Sequence, residues 1–105
     1  MNKSNIFQNI PKKFEEEFFE EIVAKENLKI ERIVSFGHTT GEDEWYDQES
    51  DEWVILLQGE AILSFEEGQD VALFAGDYIN IPAHKKHRVA WTKESVQTIW
   101  LAIHY

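Results

Sequence analysis

The sequence predicts an all-β domain, a small antiparallel barrel or sandwich entered through one amphipathic helix, and three observations carry that expectation. From Leu28 onward the chain breaks into short runs rich in β-branched and aromatic residues, "LKIERIVSF", "EWVILLQ", "EAILSFE", "DVALFA", "DYINIP", "HRVAWT" and "VQTIWLAIHY", separated by glycine or polar turns. Glycines at positions 59, 68 and 76 fall eight to nine residues apart, the rhythm of an antiparallel meander. Ahead of these runs, "PKKFEEEFFEEIVAKENL" carries Phe14, Phe18 and Ile22 at i, i+4 and i+8, with Phe19 and Val23 beside them. That spacing is helical, and Pro11 suits a helix entrance, so one helix is expected over residues 12–25. The expected organisation is an arm and helix in residues 1–27 packing on a β-barrel formed by residues 28–105.

The run from Glu52 to Gln58 is the most informative strand. One face carries Glu52, Val54 and Leu56 and the other Trp53, Ile55 and Leu57, so both faces are apolar apart from the acid. Something must cover the outer face, and a second copy of the chain is the expected cover, giving a homodimer.

Composition sets the outer bounds. A chain of 105 residues, 43% hydrophobic, with seven Phe, four Trp and three Tyr, suffices for one modest core. With no cysteine, disulfides, thiolate zinc sites and a thiol nucleophile are all excluded. No apolar run approaches the ~18 residues of a membrane span, and the N-terminus lacks the grammar of a signal peptide, so a cytoplasmic location is expected. Twenty acidic against ten basic side chains give a net charge of −10, which repels phosphate backbones and anionic bilayers. Neither nucleic acid nor membrane is an expected partner.

Two motifs then meet a known pattern. Glu52 is followed by six residues and Gly59, and Gly76 is followed by Pro82 and His87. At these residues the chain resembles the single-domain cupins, whose motifs run G(X)5HXH(X)3-4E(X)6G and G(X)5PXG(X)2H(X)3N. The resemblance extends from about Ile30 to the C-terminus and implies a jelly-roll β-barrel. The two histidine positions of the first motif map to Tyr46 and Gln48, and Gly41 lies one residue from its leading glycine. In the second motif His84 replaces the inner glycine and Trp91 the final asparagine. The pattern resembles a bacterial branch of the family that lacks the paired histidines.

The resemblance implies one divalent metal in the barrel, iron, manganese, nickel or zinc, with Glu52 and His87 as the retained ligands. The physical reason is independent of the family, because a carboxylate in an apolar barrel costs several kcal/mol unless it is paired, protonated or metal-bound. Gln48 and Tyr46 lie four and six residues before Glu52 and share its face if the segment is extended. An amide oxygen can ligate a hard cation, whereas a phenol does so only when ionised, which makes Gln48 a candidate ligand and Tyr46 a candidate wall or hydrogen-bonding residue. Were His84 turned inward, it would form with His87 and Glu52 a two-histidine, one-carboxylate site; turned outward, it is a loop histidine.

Other residues are candidates for contact with substrate. Trp91 is in phase with His87 and Val89, and His104 with Thr98, Trp100 and Ala102. His38 and His104 could equally be structural. Lys86 belongs to "HKKHR", a basic cluster in an acidic chain that could steer an anionic small molecule or pair with neighbouring acids. Two functions therefore stay open. One is a mononuclear metal enzyme of oxygenase, isomerase or lyase type acting on a small polar, possibly anionic molecule, with the metal as Lewis acid or oxygen activator. The other is a non-catalytic cupin that binds a small molecule through Tyr46, Gln48, Glu52 and His87 without metal. A sugar-phosphate isomerase or sugar-binding role is a third, weaker reading, since this architecture carries many chemistries.

Overall fold

The computed structural model describes residues 1–12 and 15–105, and the described residues form eight strands and no α-helix. The seven expected runs appear as β2 (Leu28–Ser35), β3 (Glu52–Gln58), β4 (Glu60–Phe65), β5 (Val71–Phe74), β6 (Tyr78–Ile81), β7 (His87–Thr92) and β8 (Thr98–His104). Ahead of them lies β1 (Phe18–Lys25). All neighbouring strands pair antiparallel, in a five-stranded sheet of order β1-β2-β8-β3-β6 and a three-stranded sheet of order β5-β4-β7. Two facing antiparallel sheets with these crossovers fit a jelly roll.

The helix expected over residues 12–25 is not formed: Phe18 to Lys25 pair along β2 as an edge strand, while Phe14 lies outside the described residues. The four-residue spacing of Phe18 and Ile22 has a different origin. Four residues are also two full repeats of a strand, so this apolar interval fits either element, and a β-bulge between Glu21 and Val23 locally shifts the register of the strand that forms. The aromatic and β-branched content of "FFEEIV" suits a pleated edge, and the tight hairpin through Asn27, whose φ is 64°, presents β2 as its template. Residues 18–25 thus belong to the barrel sheet instead of packing on it.

The N-terminal arm is tied across the outer face of this sheet. Arg32, only 3% exposed, donates to the carbonyls of Ile6 (3.0 Å), Gln8 (2.7 Å) and Asn9 (3.3 Å), and pairs with Glu20 at 2.8 Å. A buried guanidinium is tolerated because these acceptors replace its water.

Between the sheets lies the core, built from Ile33, Val54, Leu56, Ala61, Leu63, Leu73, Ile81, Val89, Trp100 and Ala102. Leu56 is fully buried, worth about 2 kcal/mol relative to exposure. Alternation along β3 places Glu52, Val54 and Leu56 inward, and Gly59 ends that strand at φ 92°. A Cβ on Gly59 would stand 2.3 Å from Thr98 Oγ1 and 2.8 Å from its Cα, so only glycine lets β3 turn into β4 against β8. This turn fixes the height at which Glu52 enters the barrel.

Candidate functional site

A cavity with about 50 Å³ of free space lies between the sheets at the Glu52 end of β3. Its apolar wall includes Ile33, Val54, Leu63, Ile81 and Val89, and its polar lining consists of Glu17, Glu31, Tyr46, Gln48, Glu52, His87 and Trp100. Glu52 opens β3 opposite Ile81 on one side and His104 on the other, with 7% of its surface exposed. His87 opens β7 and shares the inward phase of Val89.

Tyr46 is carried to His87 by the backbone. Its N–H donates to the His87 carbonyl at 2.8 Å and its carbonyl accepts from His87 N at 3.2 Å, an isolated bridge that lays residues 46–48 along the edge of β7. The rings of Tyr46 and His87 stand 5.6 Å apart. Two residues on, the Gln48 carbonyl accepts from His84 N at 2.8 Å, and the Gln48 side chain lines the cavity with its Oε1 buried and without a donor.

The protonation of His87 follows from its contacts. Nδ1 lies 2.9 Å from the Lys85 carbonyl, which can only accept, so Nδ1 carries a proton. Nε2 then faces Glu52 Oε1 at 3.2 Å. A neutral ring would turn its lone pair on a carboxylate, so something positive must stand between the two atoms. A second proton on the ring is sufficient. Burial pulls the His87 pKa down, but the Glu52 carboxylate and the Lys85 carbonyl outweigh it and hold the imidazole above its ordinary value. The contact is an ion pair off the line of a hydrogen bond, and Glu52 Oε1 is left without an aligned donor.

A second pair stands beside the first. Glu31, inward on β2, accepts from His104 Nε2 at 2.8 Å, and Lys29 Nζ lies 3.7 Å from its other oxygen. Burial raises the Glu31 pKa, yet His104 and Lys29 reverse the sign and hold the carboxyl below its ordinary value. The third acid, Glu17, enters from the residues preceding β1. Its Oε2 accepts from Ser35 Oγ at 2.5 Å. Burial pushes the Glu17 carboxyl up more than Ser35, His38 and Tyr46 pull it down. Tyr46 is likewise raised, first by burial and then by the Glu17 charge.

The expected site residues divide. Tyr46, Gln48, Glu52 and His87 are brought together in the cavity, and His104 is buried behind Glu31. His84, Lys86 and Trp91 are placed elsewhere. His84 occupies the left-handed region at φ 64°, the conformation the family's glycine would take, and this turn sends its ring to solvent, 2.9 Å from Asp47 Oδ1. Lys86 is half exposed and 3.9 Å from Glu66, Lys85 donates to the Glu67 carbonyl at 2.8 Å, and Arg88 lies 5.7 Å over the Trp45 ring. The basic cluster is thus engaged by neighbours outside the cavity. Trp91 is turned outward by a bulge: Val89 pairs with Leu63 and Trp91 with Ile62, so Ala90 is an extra residue that flips the phase and leaves Trp91 38% exposed.

Sequence reasoning missed Glu17, Glu31 and the cavity role of Trp100. Glu31 left a signal, because Glu31 and Arg32 are adjacent in mid-strand and alternation must bury one of the two charges in the barrel. Glu17 left none once its segment was read as helix.

As a metal centre this donor set is short. Among the described residues no three His, Cys, Asp or Glu side chains converge as metal donors, and His84, the expected second imidazole, faces away. The remaining donors for an ion are Glu52, His87 and the neutral Gln48, whereas a catalytic site holding zinc typically has three strong protein ligands.

The family profile of the cupin domain matches residues 33–104. YdbB of Bacillus subtilis (strain 168) is 34% identical over 67 residues, covering 63% of this chain and 57% of that protein's own length. Among solved structures, a protein of Ralstonia eutropha JMP134 bearing the name "putative mannose-6-phosphate isomerase" is 37% identical, with a TM-score of 0.93 over 99% of this chain and 97% of that one. A cupin superfamily protein of Desulfitobacterium hafniense DCB-2 is 22% identical, with a TM-score of 0.76 over 90% and 82% of the two chains, a likeness of fold alone.

Proposed function

The chain belongs to the cupin family, and from that premise we propose that its barrel binds a small polar molecule through Tyr46, Gln48, Glu52 and His87 without a resident metal. The observation that carries this reading is the Glu52–His87 contact. Two protons on His87 satisfy the charge between Nε2 and Oε1 with no ion, yet the misaligned geometry leaves Oε1 free to accept from a ligand. Gln48 Oε1 is the second free acceptor and the Trp100 Nε1–H a free donor in the same lining. Small-molecule sites have this composition, a mostly apolar wall with a few polar groups of unmet demand.

The size of the site limits what it takes. Its free space of about 50 Å³ is well below the ~300 Å³ of ordinary ligand pockets, so a hexose phosphate does not fit the cavity as it stands. The name of the Ralstonia neighbour is therefore not carried over.

A divalent ion on Glu52, His87 and Gln48 is the second reading, favoured by one observation, the two buried acceptors that lack donors. Such an ion would supply Lewis-acid or oxygen chemistry at the barrel centre. Metal analysis of chelator-free protein, with His87→Ala and Glu52→Ala as controls, separates the two. Substoichiometric metal that is indifferent to both substitutions supports the first reading, and one equivalent of metal lost in His87→Ala supports the second.

We further propose a homodimer in the cytoplasm, the dimer supported by Ile22 (47% exposed) and Val23 (37% exposed) along the edge strand β1. Light scattering that returns the mass of one chain contradicts it.

A further inference from the structure

We propose that the ligand of this cavity is a small organic cation, a primary ammonium group received by Glu17 and Glu52 among the rings of Phe19, Tyr46 and Trp100, and that small anions are rejected. The proposal rests on the reading of the cavity as a binding site and names the class of its ligand.

Charge is the first argument. Among the described residues the lining contains three carboxyl groups, Glu17, Glu31 and Glu52, and neither lysine nor arginine. Two of the three already face basic side chains: His87 stands 3.2 Å from Glu52, and His104 (2.8 Å) and Lys29 (3.7 Å) stand against Glu31. Glu17 is held instead by hydroxyls, accepting from Ser35 Oγ at 2.5 Å with Tyr46 beside it, while His38 acts on it through space. Glu17 is thus the one of the three acids for which no ion pair is found among the described residues. An ammonium entering the cavity supplies that partner, and a phosphate or carboxylate meets three acids at close range in a low-dielectric interior.

Unmet hydrogen bonding is the second and independent argument. Glu52 is more than nine-tenths buried, and its Oε1 has no aligned donor. Gln48 Oε1, also buried, lacks one too. These two deficits are of donors, which an ammonium supplies three at a time, while the Trp100 Nε1–H of the same lining needs an acceptor that a substituent of the cation would supply.

The walls complete the picture. Phe19, Tyr46 and Trp100 line the cavity, and aromatic faces attract cations and not anions. Free space of about 50 Å³ holds a few waters, since one needs roughly 10–15 Å³ of such space, or a head group of methylammonium size. Phe19 is half exposed at the rim, where a longer substituent of the cation would emerge.

The test uses the full chain with chelator present throughout, so that no metal contributes. The Trp100 indole N–H resonance, assigned with Trp100→Phe, is followed while methylammonium chloride, sodium formate or inorganic phosphate is added. Methylammonium should shift the resonance saturably with a millimolar dissociation constant, the ceiling for two heavy atoms, and formate and phosphate should not. Glu17→Gln keeps the shape of the side chain and removes a buried charge, so the fold is retained. It should weaken methylammonium on the order of tenfold. Saturable binding of formate or phosphate without methylammonium overturns the charge class and leaves the binding cavity standing. Methylammonium binding that is unchanged in Glu17→Gln overturns the role of Glu17. A resonance that responds to none of the three probes overturns both the class and the reading beneath it.

Discussion

Glu31–His104 and Glu52–His87 are the same two residue types, the first pair on neighbouring strands β2 and β8 of one sheet and the second reaching from β3 across to β7 of the other, and they are built for opposite purposes. In the first, Nε2 meets Oε1 at 2.8 Å, both carboxylate oxygens have partners once Lys29 is counted, and the ring lies behind the cavity. In the second, the atoms stand 3.2 Å apart off the hydrogen-bond line, Oε1 has no aligned donor, and both residues line free space. A satisfied pair holds a fold together. A half-satisfied pair beside a cavity has capacity left for a ligand.

The largest effect that would sharpen this contrast is on stability. His104→Ala leaves the Glu31 carboxylate buried beside a void and should cost about 3 kcal/mol in urea unfolding. His87→Ala should cost less, about 1 kcal/mol, because the adjoining cavity admits water to Glu52. Equal costs would break the distinction. Binding should reverse the order: His87→Ala, which leaves the Glu52 carboxylate without its imidazole, should change the ligand response, and His104→Gln should preserve it.

Next in size is the dependence on pH, where the two pairs fail on opposite sides. His87 has a folded pKa raised above 6.5, so its contribution is complete below pH 6.5 and fades as pH rises through the folded value. Glu31 has a folded pKa depressed below 4.5, so its contribution is complete above pH 4.5 and fades as pH falls through the folded value. In His87→Gln the decline of stability on the alkaline side should flatten while the acid limb is unchanged. In Glu31→Gln the acid limb should flatten instead. The smallest effect belongs to Glu17, whose raised pKa means that its ionised form opposes folding near neutrality. Glu17→Gln should therefore be slightly stabilising at pH 7, by roughly 0.5 kcal/mol, and neutral at pH 3.

Much of this architecture is written in the chain where period and turn chemistry agree. The strands β2 to β8 stand where aromatic and β-branched runs are cut by glycine, and Glu52, His87, Tyr46 and Gln48 meet because motif spacing and strand alternation place them on inward faces. What the sequence concealed was concealed by an ambiguous spacing, a bulge and a turn. The four-residue spacing of Phe18 and Ile22, common to helix and strand, let β1 pass for a helix and with it hid Glu17, and the extra Ala90 turned Trp91 outward although it is in phase with His87 on paper. His84 is lost to the cavity by one left-handed residue. A strand pattern counts residues by twos, and a bulge changes the count by one.

The central claim is that protons, and not a metal, occupy the space between His87 Nε2 and Glu52 Oε1. Nitrogen chemical shifts of the His87 imidazole, recorded on chelator-free protein and again after chelator treatment, test it most directly. The account predicts an imidazolium with both nitrogens protonated at pH 6.5, a midpoint above that value, and identical spectra in the two preparations. A metal-ligated Nε2 shift in the untreated protein that reverts with chelator would contradict it.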